Sequence, residues 1–213
     1  NHAANDTHNG VDPSLDAYYR ITPSLTGSLT LNTDFSAAEV DDRQVNLTRF
    51  SLFFPEKRDF FLNDADLFEF GRIGAAGYSS GLRSVNRAIQ ENGRPFFSRR
   101  IGLSPAGTPV NLEYGGKLSG RVGRWTVGAL AVRQDDFRAP GAPAIDAGNA
   151  FIGRVTADVL RESSVGLIAT SGDFGSNSRN SVVGADFNYT NTRLPGSRVM
   201  ESELWVQKSN TPG

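Results

Sequence analysis

Glu201 and Glu203 are the two carboxylates whose spacing most resembles a catalytic pair. They stand two positions apart in an alternating run, so they share one strand face about 7 Å apart along the strand. That separation lies within the range used by glycosidases. The simpler reading is a hydrated wall carrying acidic side chains. A Ser-His-acid site needs an imidazole beside its nucleophile. The only histidines, His2 and His8, lie in an irregular N-terminal stretch. Cysteine is absent, which removes disulfides, thiol chemistry and Cys-based metal sites. Asp135-Asp136 and residues 173–180 offer oxygen ligands but no EF-hand spacing, and read as solvated loop tips. The glycines of residues 71–81 do not form a phosphate loop. The expectation is therefore a chain without catalytic residues, metal or cofactor, and not an enzyme.

A second group of charges is clustered rather than spaced. Glu56, Lys57, Arg58 and Asp59 form a turn between Phe53-Phe54 and Phe60-Phe61. The turn is either a constriction or docking element, or a salt-bridged corner that fixes the local geometry, and the second is favoured. Arg49, Arg58, Arg99 and Arg100 could build a basic ladder opposite Asp34, Glu56 and Asp59. Such a ladder would bias a pore toward anions, or it is internal charge compensation.

These residues need elements to hold them, and the dominant signal is a period of two. Over residues 111–122 the odd positions carry Asn111, Glu113, Lys117 and Arg121, and the even ones Leu112, Tyr114, Leu118 and Val122. Successive strand side chains point to opposite faces. The run is longer than the usual strand of about five or six residues and close to the roughly 9–11 that cross a bilayer at a tilt. Gly123-Arg124 makes a tight turn, which places Trp125, Val127, Ala129 and Ala131 on the apolar face. The same rhythm recurs at Phe151, Val155 and Val159, at Val165 and Leu167, at Val183, Phe187 and Tyr189, and at Met200, Leu204 and Val206. Residues 19–31 read as one alternating run, residues 71–94 as a long loop, and residues 95–103 as a further strand. Residues 1–16 read as leader or linker. Short turns at 123–124 and 161–163 alternate with long loops at 135–149 and 173–180. Residues 191–197 form a further, longer turn on the short side. That alternation matches periplasmic turns and extracellular loops.

The fold expected is an all-β antiparallel transmembrane β-barrel, with roughly 8–10 strands in residues 17–213 by the alternation rule and further C-terminal strands missing. Glu113, Lys117, Arg121, Arg154, Asp158, Asp186, Glu201 and Glu203 then face a lumen, with aromatics Tyr114, Trp125, Phe151 and Tyr189 at the interfaces. Lipid is expected over Leu112, Leu118, Trp125, Val155 and Phe187. A net charge of −1 gives no field for nucleic acid. A soluble β-sandwich binding module has the same alternation and stays open as an alternative.

One motif carries more than pattern. Leu31-Asn32-Thr33-Asp34-Phe35-Ser36 is followed by Asp41-Asp42-Arg43-Gln44-Val45-Asn46-Leu47-Thr48-Arg49-Phe50-Ser51-Leu52-Phe53-Phe54-Pro55-Glu56-Lys57-Arg58-Asp59-Phe60-Phe61-Leu62. It resembles a bacterial family of exported proteins. In that family a carbohydrate-binding-module-family-9-like domain precedes an outer-membrane β-barrel domain of unassigned function. Pro95-Phe96-Phe97-Ser98-Arg99-Arg100-Ile101-Gly102, Gly115-Gly116-Lys117-Leu118-Ser119-Gly120-Arg121 and Glu162-Ser163-Ser164-Val165-Gly166 are also similar. The resemblance implies a pore or docking barrel in the bacterial outer membrane for a polar, carbohydrate-derived solute, with membrane lipid as its partner. It equally admits a non-conducting barrel that anchors the carbohydrate-binding-like domain. That domain is not in this chain, so sugar binding is not carried over.

Overall fold

The computed structural model describes residues 14–33, 59–62, 64–71, 93–96, 101–102, 110–138, 144–172 and 179–211. Eight strands form one antiparallel sheet in sequence order: β1 (Leu15–Thr22), β2 (Leu25–Thr33), β3 (Leu112–Val122), β4 (Trp125–Gln134), β5 (Gly148–Val159), β6 (Ser163–Ser171), β7 (Ser181–Leu194) and β8 (Arg198–Asn210). Among the described residues β8 does not pair with β1, so the sheet is open. No helix among them is long and apolar enough to cross a membrane, which has no bearing on crossing by strands.

The long run of residues 19–31 is two strands. Pro23 and Ser24 turn the chain, with Thr22 opposite Leu25. Proline presets the turn φ and has no N–H for a ladder. The parity of the apolar positions survives the turn, since Tyr19 pairs with Gly27 and Ala17 with Leu29. β1 starts at Leu15, inside the stretch assigned to the leader. At the β3–β4 turn the expected pairing of Val122 with Trp125 is present. Gly123 takes a φ of 62°, the left-handed region that glycine enters without a Cβ clash. The β7–β8 connection is only residues 195–197, shorter than expected, because β7 runs on to Leu194. Of the proposed strand over residues 95–103, the described positions Pro95, Phe96, Ile101 and Gly102 are in no strand.

All four short turns lie at one end of the sheet, and the three long connections lie at the other. The short-turn end is stitched by side chains. Glu162 accepts hydrogen bonds from the Thr192 N–H at 2.7 Å, the Thr192 hydroxyl at 3.0 Å and Arg193 Nε at 3.2 Å. The Thr192 N–H, then its hydroxyl, then the Arg193 charge hold the carboxyl below its usual range. A side-chain NMR titration should place Glu162 below the ordinary glutamate value. Thr192→Ala should return it only part-way, because the N–H remains. A lowered folded-state pKa adds stability that is complete above the unfolded pKa and fades as pH falls through the folded value.

The two faces of the sheet differ sharply. On one, Leu25, Gly120, Val127, Val155, Leu167, Ala185 and Val206 form a cross-strand row over seven strands without a charge. Leu29, Tyr114, Trp125, Phe151, Val155, Leu167, Val183, Leu204 and Val206 on this face are exposed, with Leu204 reaching 70%. No second layer of the described residues covers it. Tyr114 and Phe151 sit near the long-connection end, and Trp125 near the short-turn end.

The opposite face is covered over its centre, while the edge strands β1 and β8 stay exposed. A helical turn α1 (Asp59–Leu62) and a 3₁₀ turn (Ala65–Phe68) lie against it. Phe60, Phe61, Phe68 and Ile101 form a core there with Leu112, Leu130, Val132, Ala150 and Ile152. Leu112 was expected on the bare face and is fully buried here, at 0% exposure. The reason is a bulge: Leu112 pairs with Gln134 and Tyr114 with Arg133, which leaves Glu113 as an extra residue. One added residue reverses the facing of everything before it.

Candidate functional site

The covered face is the site at which the chain brings distant charges together. The covering residues, 60–62 and 64–71, form a strap across the strands rather than along them. Phe60 and Asp64 contact β3, Leu67 and Phe68 lie over β4, and Phe70 meets β5, β6 and β7. Gly71 lies against Trp205 on β8. None of the strap's described residues joins the sheet ladder.

Its rings rest on glycines. A Cβ at Gly115 would come 3.4 Å from the Phe60 ring, one at Gly128 3.2 Å from Phe68, and one at Gly184 2.7 Å from Phe70. Glycine in a strand marks the close approach of another group. Glycines on three strands thus leave room for three rings.

Polar contacts fix the strap between these seats. Lys117 is buried and donates from Nζ to the Phe60 carbonyl at 2.8 Å. The same ammonium lies 5.4 Å from the Phe60 ring centroid and 3.9 Å from Asp64. The Ser119 hydroxyl donates to Asp64 Oδ2 at 2.6 Å. Near the far end, Arg154 on β5 and Asp186 on β7 form a bidentate pair at 2.5 and 2.8 Å. Their side chains are 3% and 0% exposed. Such paired geometry is the strong form of a charged hydrogen bond. Asp186 Oδ2 also accepts the Gly71 N–H at 3.2 Å and Asn188 Nδ2 at 3.0 Å. The Arg154 guanidinium lies 5.5 Å from the Phe70 ring centroid. At the long-connection end, Gln134 Oε1 accepts the Gly102 N–H at 2.8 Å.

Arg154 reaches Asp186 only because Gly166 lies between them on β6. Asp186 pairs in register with Gly166, while Arg154 pairs with Ile168 one row away. A Cβ on residue 166 would lie 2.6 Å from Arg154 Nη1 and 2.6 Å from Asp186 Oδ1. Gly166→Ala should therefore push the pair apart and cost about 1–3 kcal/mol, measured by urea unfolding. A change below about 0.5 kcal/mol would remove the crossing from consideration.

The sequence-predicted residues separate in the structure. Lys117, Arg154 and Asp186 are gathered under the strap, where protein covers them. Arg121 and Asp158 form an exposed ion pair at the short-turn end. Glu201 and Glu203 are exposed on β8, opposite Thr190 and Asn188 in register, and so on the same face as Asp186. Glu113 leaves this group: the bulge lets it accept from Arg133 Nε at 2.7 Å, and Arg133 belongs by parity to the bare face. Glu56, Lys57, Arg58, Arg99 and Arg100 lie outside the described residues, as do Asp34 and Arg49. Asp59 opens α1. In the 135–147 connection, Arg138 pairs with Asp136 and Asp146. No group of potential metal ligands is present among the described residues.

Sequence reasoning missed Asp64, Ser119, Gln134, Phe70 and Gly166. Gly166 had a readable signal, a glycine in the middle of a regular strand. The apolar runs 129–132 and 166–169 were a second signal, since apolar residues on both faces of a strand break its alternation.

The strap and the first hairpin are the part of the chain with a known likeness. A family model described as a domain of unknown function (DUF5916) matches residues 1–79. The DUF5916 stretch takes in β1, β2 and the strap, and with them the motif of residues 31–62. No curated protein and no solved structure matches the chain.

Proposed function

We propose that the sheet is part of the wall of a β-barrel in the bacterial outer membrane, with its bare face on lipid and its strapped face on the lumen. The carrying observation is the charge-free cross-strand row from Leu25 to Val206, with Val155, Leu167 and Val206 exposed, on a sheet whose other face has protein cover at its centre. Soluble proteins seldom leave so continuous an apolar surface in water. The division into short turns and long connections supports the same reading. The role proposed is passage or docking of a polar solute, without catalysis. The sugar link rests only on the resemblance to proteins that carry a carbohydrate-binding-like domain.

The test is extraction and gel migration. Membranes containing the protein should release it only with detergent, and an unheated sample should run faster on a denaturing gel than a boiled one. Release by salt alone, with identical migration, would support a soluble sandwich. One observation favours a second reading: the strap occupies much of the lumenal face, as in a sealed barrel that serves as an anchor. Conductance in a planar bilayer separates the two. Stable single-channel steps support passage, and a silent, correctly inserted barrel supports the anchor.

A further inference from the structure

We propose that the rim of tight hairpins seats the headgroup of an anionic phospholipid, in a notch between the β5–β6 turn and β7. The inference deepens the barrel reading and rests on it, since it names the lipid that borders the bare face at this rim.

The rim carries an excess of arginine. Arg20, Arg121, Arg124, Arg161, Arg193 and Arg198 all stand in or next to the turns at 23–24, 123–124, 160–162 and 195–197, and all are exposed. The carboxylates there are Asp158 and Glu162, and both are engaged, with Arg121 and Arg193. Arg20, Arg161 and Arg198 have no ion pair among the described residues. Arg124 lies 5.3 Å from the centroid of the Trp125 ring.

The notch offers the donors that a phosphate takes. Leu160, Arg161, Glu162, Tyr189, Asn191 and Arg193 line a cavity of about 290 Å³. Glu162 is held by Thr192 and Arg193, which leaves Arg161 as the cation open to a ligand. The Tyr189 hydroxyl accepts from Asn191 Nδ2 at 3.2 Å, and its own proton has no acceptor among the described residues. A guanidinium fork and a phenol O–H both fit phosphate oxygens.

The same notch has an apolar side. Leu160 is 76% exposed and takes a φ of 54°. Turn positions of that kind usually go to glycine, asparagine or aspartate, yet here a leucine is presented beside Arg161. Tyr189 continues the bare face of Ala185 and Phe187, and Arg198 joins that face by the alternation running back from Val206. Cations therefore lie outermost, the rings of Trp125 and Tyr189 next, and the aliphatic surface beyond. Tyrosine and tryptophan favour the headgroup level of a bilayer. A free anion would use the arginines alone, and an acidic peptide would have no use for Leu160. A phospholipid presents phosphate and hydrocarbon in this order. Phosphatidylcholine carries its own cation, which competes with Arg161, whereas phosphatidylglycerol does not.

The test measures lipid preference at the protein surface. The full-length protein is reconstituted in phosphatidylcholine vesicles at low salt with a trace of spin-labelled phosphatidylglycerol, or of phosphatidylcholine labelled on the same chain. Electron spin resonance reads the motionally restricted fraction of each. The relative association constant should favour phosphatidylglycerol by at least about threefold. Arg161→Gln combined with Arg198→Gln should bring the ratio close to one. Arg20→Gln combined with Arg121→Gln removes the same charge from the strapped face of the same rim, and should leave the preference in place. Both double variants change exposed side chains and should leave the sheet intact. Equal loss in the two, or restricted lipid without preference in the wild type, overturns the headgroup seat and keeps the barrel. The absence of restricted lipid of either kind overturns the barrel reading and the seat with it. Inorganic phosphate should lower the ratio no more than sodium chloride at equal ionic strength; a larger loss would assign the notch to free phosphate and overturn the lipid.

Discussion

Leu167→Arg should destabilise the membrane-inserted protein by about 2–4 kcal/mol. Leu167 is at the midpoint of β6, 63% exposed, and flanked in register by Val155 and Ala185. In water an exposed leucine on a sheet tolerates arginine, and surface substitutions of this kind usually fall within about 0.5 kcal/mol. In a bilayer the same position is near the midplane, where a guanidinium loses its hydration and can reach water only by distorting lipid. The side chain's neighbours in the protein are identical in both cases, so the difference measures the solvent. Unfolding from vesicles by urea, compared with the wild type, gives the number. Arg198, beside the 195–197 turn, serves as the reference position, since charge near an interface costs roughly 0–1 kcal/mol. A neutral Leu167→Arg would remove lipid from the bare face, and the permeation reading with it.

Asp186→Ala is the second large effect, expected at about 3–5 kcal/mol. The carboxylate neutralises Arg154 in a site where both side chains are almost fully covered, and it also takes the Gly71 and Asn188 hydrogen bonds. Its removal leaves a guanidinium buried beside Phe70, and the Gly71 N–H and Asn188 Nδ2 without this acceptor. The Nε of Arg154 already finds no acceptor among the described residues. Arg154→Met combined with Asp186→Leu should recover most of the loss, because an apolar pair avoids the desolvation of two charges. Failure of the double variant to recover would show that the hydrogen bond to Gly71, rather than charge balance, dominates. A thermodynamic cycle from urea unfolding of the four proteins separates these terms.

The strand pattern was legible because period two is a strong local signal. From β3 to β8 the strands lie where the alternation puts them, and the Val122–Trp125 pairing follows from a two-residue turn alone. The failures have physical causes. The bulge at Glu113 costs one residue of parity, and nothing in the local composition announces it. The hairpin at Pro23-Ser24 was hidden because the turn preserves the apolar parity on either side. The strap was least legible. Its contacts join residues far apart in sequence, such as Gly71 with Asp186, and its helical turns are too short to show a period. Lys117, Arg154 and Asp186 were picked out as polar wall residues, yet their burial depends on a segment whose own pattern gives no sign of where it docks.

The placement of the long connections has a mechanical consequence. β2 ends and β3 begins at the same rim of the sheet, so the polypeptide that contains the strap departs from and returns to that rim. Both covalent attachments of the strap to the sheet therefore fall on one rim, opposite the four tight hairpins.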